Sequence, residues 1–332
     1  MPKRIIFTEK GKVAFENFVL PELGADQLRI RTHYSLMSIG TETIILNQKY
    51  DADTHFARMF SFPQLKTGVQ AVGEIEELGS EVSDFNAGDM IFMRQAHGSH
   101  QQLAASDCSP VPADIDLKSA CWCGLAKTAF RAAWAGRFEA GQHVLIIGAG
   151  PVGQMLIRWA SAAAVDTLAV VDVSAYRLQH ASRGGATLTM AKDIAQGMSE
   201  IHAINNGAGP NIVVDTTGNA EVFKYALAAA GQFAKVILLG DSGYPARQCL
   251  SSDAMTKGLT IQATHDSHDR DGWTQRKIDA RFFQLVGEGK FSLDNLISHE
   301  FTPDQCVEAY EQADQHRQET MGVLFDWTRA IY

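Results

Sequence analysis

The chain has 332 residues, 45% of them hydrophobic, a net charge of −9 and no basic tract. That length suits two domains with a core each, and the acidic balance argues against nucleic acid or anionic membrane as a partner. No apolar run approaches the ~20 residues of a membrane span, Met1 to Glu9 lacks a signal-peptide core and the expected compartment is the cytoplasm.

From the N-terminus, residues 1–120 read mostly as strands and turns. Arg4 to Phe7, Val13 to Glu16 and Leu28 to Tyr34 are short and partly alternating. Leu28, Ile30 and Thr32 would face one way, Arg29, Arg31 and His33 the other. Val72 to Val82 and Phe85 to Phe92 suggest strand, turn, strand. Residues 41–67 read as a long connection carrying Tyr50, His55, Phe56, Met59, Phe60 and Phe62. Aromatics there would line a substrate pocket or form a hydrophobic plug or subunit contact. A helix is expected from Ser119 through Ala133. The five cysteines, Cys108, Cys121, Cys123, Cys249 and Cys306, are scattered and odd in number, so they read as buried free thiols rather than a disulfide framework.

The most informative stretch runs from His143 to Asp172. Val144 to Ile147 are an unbroken apolar run, as in a strand buried on both faces. Gly148, Gly150 and Gly153 complete a G-x-G-x-x-G turn. Val152, Met155, Leu156, Trp159 and Ala160 then recur at helical spacing, and a second apolar strand ends at Asp172. Gly148 permits the tight turn, Gly150 lets backbone approach a pyrophosphate, and Gly153 lets helix pack closely on strand. The helix N-terminus attracts phosphates. Asp172 would accept hydrogen bonds from the adenosine ribose and repel a 2′-phosphate; its plainer role is a strand-end cap. The stretch reads as a dinucleotide-binding unit preferring NAD(H), with Arg177 and Ser174 leaving some NADP use open.

Strands are further expected at Ala186 to Thr189, Ile212 to Val214, Val236 to Leu239 and Leu259 to Ala263, with helices such as Glu221 to Ala230 between. This alternation implies a parallel sheet with right-handed crossovers. Asp215-Thr216-Thr217-Gly218 and Leu239-Gly240-Asp241-Ser242 each end a strand, on the edge where ligands of such sheets lie. Residues 269–326 read as helices and a closing strand that rejoin the first domain.

These markers together resemble the medium-chain dehydrogenase/reductase (alcohol dehydrogenase) superfamily: Val72-Gly73-Glu74 through Gly88-Asp89-Met90-Ile91, Ala149-Gly150-Pro151-Val152-Gly153, Asp172 with Arg177, Ala181 and Gly185-Ala186, Asp215-Thr216-Thr217-Gly218-Asn219, and Leu239-Gly240. The resemblance implies an α/β fold in which a Rossmann doubly wound parallel sheet, residues 123–265, is inserted into a β-rich GroES-like catalytic domain, residues 1–122 with 266–332. It also implies an active site in the cleft between them and assembly as a homodimer or homotetramer. The implied cofactor contacts are Gly148, Gly150, Pro151, Val152, Gly153, Asp172, Val173, Arg177, Thr216, Thr217, Leu239 and Gly240.

The departures concern zinc. The family's catalytic ion takes a cysteine where this chain has Ile39, a histidine where it has Val69, and a third ligand at Cys123. One thiolate cannot hold zinc in the usual three-ligand geometry, and residues 93–107 lack the four-cysteine structural lobe. The chain thus resembles zinc-less branches; Ser35-Leu-Met-Ser38-Ile-Gly40-Thr41-Glu42 matches a Ser-x-x-Ser-x-Gly-Thr-Glu turn found in one of them. Without zinc, another group must polarise the carbonyl and move the proton. Thr41 holds the position of the family's proton-relay hydroxyl, or is a turn residue. Lys127 aligns with a residue beside the nicotinamide, or is an exposed helix lysine. His97, His100, His265 and His268 are further candidate acids, each also readable as a loop histidine. Trp122 and Met93 read as core. The expected activity is zinc-independent, NAD(H)-dependent interconversion of a secondary alcohol and its carbonyl compound on a small molecule. The alternatives are NADPH-dependent reduction of conjugated enones or quinones, and a catalytically weak NAD(H)-binding sensor.

Overall fold

The computed structural model describes residues 1–329, whose strands form three sheets. One is six-stranded and wholly parallel, in the order Leu188–Ala191, Thr167–Asp172, His143–Ile147, Ile212–Asp215, Lys235–Leu238, Thr260–Ala263. Successive strands run outward from His143–Ile147 first one way and then the other. Their carboxyl ends therefore leave a crevice beside that strand, the switch point of a doubly wound sheet.

The apolar runs have a direct cause. Val144, Ile146, Leu168, Val170 and Val214 pack into a core on one face; Leu145, Ile147, Ala169, Val171 and Val213 pack into a second core on the other. Both sets must be apolar because helices cover both faces. Cys123–Gly136 and Pro151–Ala162 lie over the first face, Ile194–His202 and Ala220–Ala229 over the second.

The second sheet is mixed, with strands in the order Ile297–Phe301, Gly322–Asp326, Gln27–Leu36, Ala71–Leu78, Met90–Met93, Cys108–Pro110, while His100–Ala104 pairs with the start of Gln27–Leu36. Leu28, Ile30 and Thr32 are buried and Arg31 is exposed, as the alternation requires. Gly322–Asp326 runs antiparallel to Gln27–Leu36, so the end of the chain returns to the sheet built near its start. A small third sheet joins Lys3–Glu9 to Lys12–Asn17 and Leu65–Lys66. The fold is a doubly wound α/β unit with a separate β-rich unit.

Three local expectations change. Residues 41–67 are not one open connection. Helix Ile39–Leu46 begins before them, His55–Met59 forms a short second helix capped by Thr54, and most of the aromatics plug a core. Phe56 is buried with Phe7, Tyr310 and Trp327, and Tyr50, Phe60 and Phe62 pack against them. The helix expected over 119–133 is two helices, Leu117–Ala120 and Cys123–Gly136. Ala186 and Thr187 lead into the strand expected at 186–189, which spans Leu188–Ala191.

Candidate active site

The glycine-rich turn is built by contact. Gly148 has φ +94°, and a Cβ on it would lie 2.6 Å from Thr216 Oγ1. A Cβ on Gly153 would sit 2.2 Å from the Gly148 carbonyl oxygen, so the helix can approach its strand only without a side chain there. Gly150 caps the helix Pro151–Ala162, with Pro151 in the first turn where its missing N–H costs nothing. The first N–H groups of that helix face the crevice end of the sheet, where an anion is favoured.

Asp172 ends the neighbouring strand, half-buried. One carboxylate oxygen accepts from the Ala149 N–H at 2.7 Å, the other from the Ser174 N–H at 2.7 Å. It is thus a strand-end cap and also a brace for the turn. A carboxylate has about four acceptor positions, so it retains capacity for two more donors. Val173 beside it is 61% exposed. Arg177 lies beside the turn, with one guanidinium nitrogen 3.6 Å from a Cβ placed on Gly150, and it donates to the backbone carbonyls of Arg317 and Thr320, while Ser174 Oγ donates to the Gln318 carbonyl at 2.8 Å. Those three bonds tie the segment 317–320 to the start of helix Ala175–Arg183. Thr216 Oγ1 donates to the Ile147 and Gly148 carbonyls, and Thr217 Oγ1 to Asp215. Leu239 is buried and Gly240 packs against the backbone at 216–218.

Lys127 is not an exposed helix lysine. It is 5% exposed, with its Nζ 3.2 Å from Asp266 Oδ2 and 3.2 Å from Gln275 Oε1. Asp266 follows the last strand of the parallel sheet and also pairs with Arg94 at 2.8 Å and Thr128 at 3.1 Å. Burial alone would push the Asp266 carboxyl up, but Arg94, Lys127 and Thr128 more than offset it and hold it below the ordinary range. Two cations share one carboxylate, a local excess of positive charge. Thr41 lies inside the helix Ile39–Leu46 rather than in a turn, and its Oγ1 is 3.3 Å from Ser38 Oγ.

The residues at the family's zinc positions do not fit the ion. Ile39 and Val69 carry no donor atom, and Ile39 is 2% exposed. Cys123 is fully buried; burial and the neighbouring Asp279 carboxyl push its thiol well above the ordinary value, so it stays neutral. Asp279 in turn is raised to about 6 by burial, partly countered by hydrogen bonds from Ser109 and Cys123.

Of the candidate histidines, His97 is a core residue. It lies 2.7 Å from Ser35 Oγ and 3.2 Å from Glu42, which also accepts from Thr67 and Tyr310. Burial opposes the Glu42 charge, and His97, Tyr310 and Thr67 overcome it, holding the carboxyl below its ordinary value. His100 lies on the β-rich sheet, near Glu76. His265 directly precedes Asp266 after the last parallel strand, and the His268 ring lies tilted beside it with centroids 5.8 Å apart. Trp122 and Met93 are buried core. Sequence reading named neither Arg94 nor Asp266, and it placed His55 in the long connection and Asp241 at a strand's ligand edge without giving either a chemical role. Only Asp241 and Asp266 carried a signal, each following a parallel strand. A cavity of about 710 Å³ lined by Phe130, Trp134, Phe138 and Trp159 contains none of the candidate residues.

The profile of the "Zinc-binding dehydrogenase" family matches residues 151–275. An L-threonine 3-dehydrogenase of Bacillus subtilis is 27% identical over 172 residues, 52% of this chain and 48% of that protein. A D-guloside 3-dehydrogenase of Escherichia coli is 22% identical over 97% of this chain and 100% of that protein. The solved structure of an Escherichia coli oxidoreductase/dehydrogenase of unknown specificity superposes with a TM-score of 0.86 at 18% identity, covering 98% of this chain and 99% of that one. The glycine turn, the doubly wound sheet, the returning C-terminal strand and these likenesses agree, and together they support the medium-chain dehydrogenase/reductase superfamily of alcohol dehydrogenase-like oxidoreductases, to which this chain is similar.

Proposed function

We propose that the protein is an NAD(H)-dependent, zinc-independent oxidoreductase that interconverts a secondary alcohol and its carbonyl compound on a small polar molecule. The observation that carries this reading is the Lys127–Asp266–Arg94 charge cluster, set one helix turn from a Cys123 that has no partner ligand at positions 39 and 69. The reading divides the chain into a nucleotide unit, 123–265, and a catalytic unit, 1–122 with 266–332, with a small-molecule substrate between them. It carries a homodimer or homotetramer in the cytoplasm; no described helix is long and apolar enough to cross a membrane.

In this reading Asp172 takes the ribose hydroxyls with its remaining acceptor capacity, and the N–H groups of helix Pro151–Ala162 take the pyrophosphate. Gly148, Gly150 and Gly153 admit it, and Val152, Val173, Thr216, Thr217, Leu239 and Gly240 line the crevice. Bound nicotinamide supplies the hydride acceptor or donor. Lys127 donates a hydrogen bond to the substrate oxygen as charge develops on it, held in place by Asp266. The Thr41 hydroxyl, which accepts a hydrogen bond from Ser38 Oγ, takes the alcohol proton while giving its own to solvent water. The named relatives act at position 3 of threonine and of a guloside, both secondary hydroxyls, which supports that class of substrate.

The test is turnover of a panel of polar secondary alcohols with NAD+ and NADP+, before and after chelation. Turnover favouring NAD+ and indifferent to chelator is expected. Stoichiometric zinc required for activity and lost in Cys123→Ala, a preference for NADPH with enones, or tight NADH binding without turnover across the panel would overturn it.

A further inference from the structure

Three side chains from three separate segments converge beyond the carboxyl ends of the last two parallel strands. His55 comes from the short helix His55–Met59, Asp241 follows the strand Lys235–Leu238, and His265 follows the strand Thr260–Ala263. Each offers one donor atom, and the three atoms all lie within 4.8 Å of one another. His55 Nε2 stands 3.1 Å from Asp241 Oδ2. With bonds of about 2.0–2.1 Å, two ligands on one tetrahedral ion stand roughly 3.3 Å apart, so this pair already has the separation of a coordination edge.

The rings are held. His55 packs on Phe56 with centroids 4.2 Å apart and meets the His265 ring edge-on at 6.1 Å and 78°. Nδ1 of His265 accepts from the Ser267 N–H at 3.2 Å and lies 2.8 Å from Ser267 Oγ, contacts that hold the ring in place. A plain ion pair needs only His55 and Asp241; it gives no reason for a second imidazole to close on the same point.

We infer that His55, Asp241 and His265 form a binding site for a first-row transition dication, zinc foremost, distinct from the family's zinc position. Two imidazoles and one carboxylate suit zinc, cobalt or nickel and are poor in oxygen for calcium or magnesium. All three residues reach solvent, so a fourth position stays open to water or a ligand oxygen. The ion would bridge the helix at 55–59 to the carboxyl ends of two parallel strands, a clasp across the crevice rather than the seat of hydride transfer.

The experiment uses the full-length protein stripped with chelator and dialysed against Zn2+ or Co2+. One dication per chain is expected, with a Co2+ visible spectrum lacking thiolate charge-transfer bands and a rise in Tm on metal addition. His55→Ala, Asp241→Asn and His265→Ala should each weaken binding at least about tenfold and abolish the Tm rise. Cys123→Ala should bind as the parent does. The three altered side chains are at the surface, and NADH binding by each variant reports that it is folded. No saturable binding, or binding unmoved by the three substitutions, would overturn the inference. Failure of this site leaves the zinc-independent reading standing, whereas metal held with a thiolate signature that vanishes in Cys123→Ala would overturn both.

Discussion

The Lys127 ammonium lies 3.2 Å from a carboxylate oxygen of Asp266, a residue far along the chain that Arg94 also grips. The pair joins the helix Cys123–Gly136 to the segment that follows the last strand of the parallel sheet. If Lys127 supports charge on the substrate oxygen, Lys127→Met should lower kcat by about 10²–10⁴ while leaving the affinity for NADH near that of the parent. Single-turnover kinetics with direct NADH titration separates the two; weakened NADH binding with unchanged kcat would assign Lys127 to the cofactor instead.

Asp266→Asn should cost stability as well as activity, because it leaves two cations without their anion. Losing one partner of a buried pair costs about 3–5 kcal/mol; Asp266 keeps 20% of its side-chain surface exposed, which places the expectation near 3. Urea unfolding followed by fluorescence measures it.

In the proposed reading Asp172 would link coenzyme choice to the shape of the turn, since it braces the Ala149 amide. Asp172→Ser should raise the KM for NAD+ about tenfold to a hundredfold, the range for hydrogen bonds to a charged group. It should also narrow the gap between NAD+ and NADP+. Unchanged KM values for both would show that the carboxylate only caps the strand.

The glycines separate by environment. Gly153→Ala would drive a Cβ to 2.2 Å from a backbone oxygen, and should destabilise by about 3 kcal/mol, the upper range for overpacking against groups that cannot move aside. Gly141 has φ +86° with nothing within 4 Å of an added Cβ, so Gly141→Ala should cost only about 1 kcal/mol of backbone strain. Paired melting curves test the difference.

Asp279 predicts a pH signature. Its carboxyl is raised from 3.8 to about 6 in the folded chain, so between these values the native state keeps a proton that the unfolded state has released. Stability from this group is present below pH 4 and is lost as pH rises through 6, a loss of about 3 kcal/mol at 1.36 kcal/mol per unit. Asp279→Asn removes that dependence and can still accept from Ser109. Relative to the parent, the variant should therefore gain stability between pH 4.5 and pH 7. A constant difference in urea midpoint across that range would contradict it.

The parallel sheet was legible because strands covered on both faces are written as continuous apolar runs, and because Gly148 and Gly153 are each required by a local contact. The helix Ile39–Leu46 was not legible: Ile39, Thr43, Ile45 and Leu46 are buried around most of its circumference, so no amphipathic period marks it. Lys127 showed the same limit at the site. Its neighbours in sequence describe a helix, whereas Asp266, Arg94 and Gln275 decide its environment and come from elsewhere in the chain. His55 lay hidden in a segment whose aromatics serve mainly as core.

The bonds from Arg177 and Ser174 to the carbonyls of 317, 318 and 320 sit next to Asp172. Three side-chain donations are thus stitched to consecutive stretches of main chain, so that a shift of the 317–320 segment carries the residues after position 172 along with it.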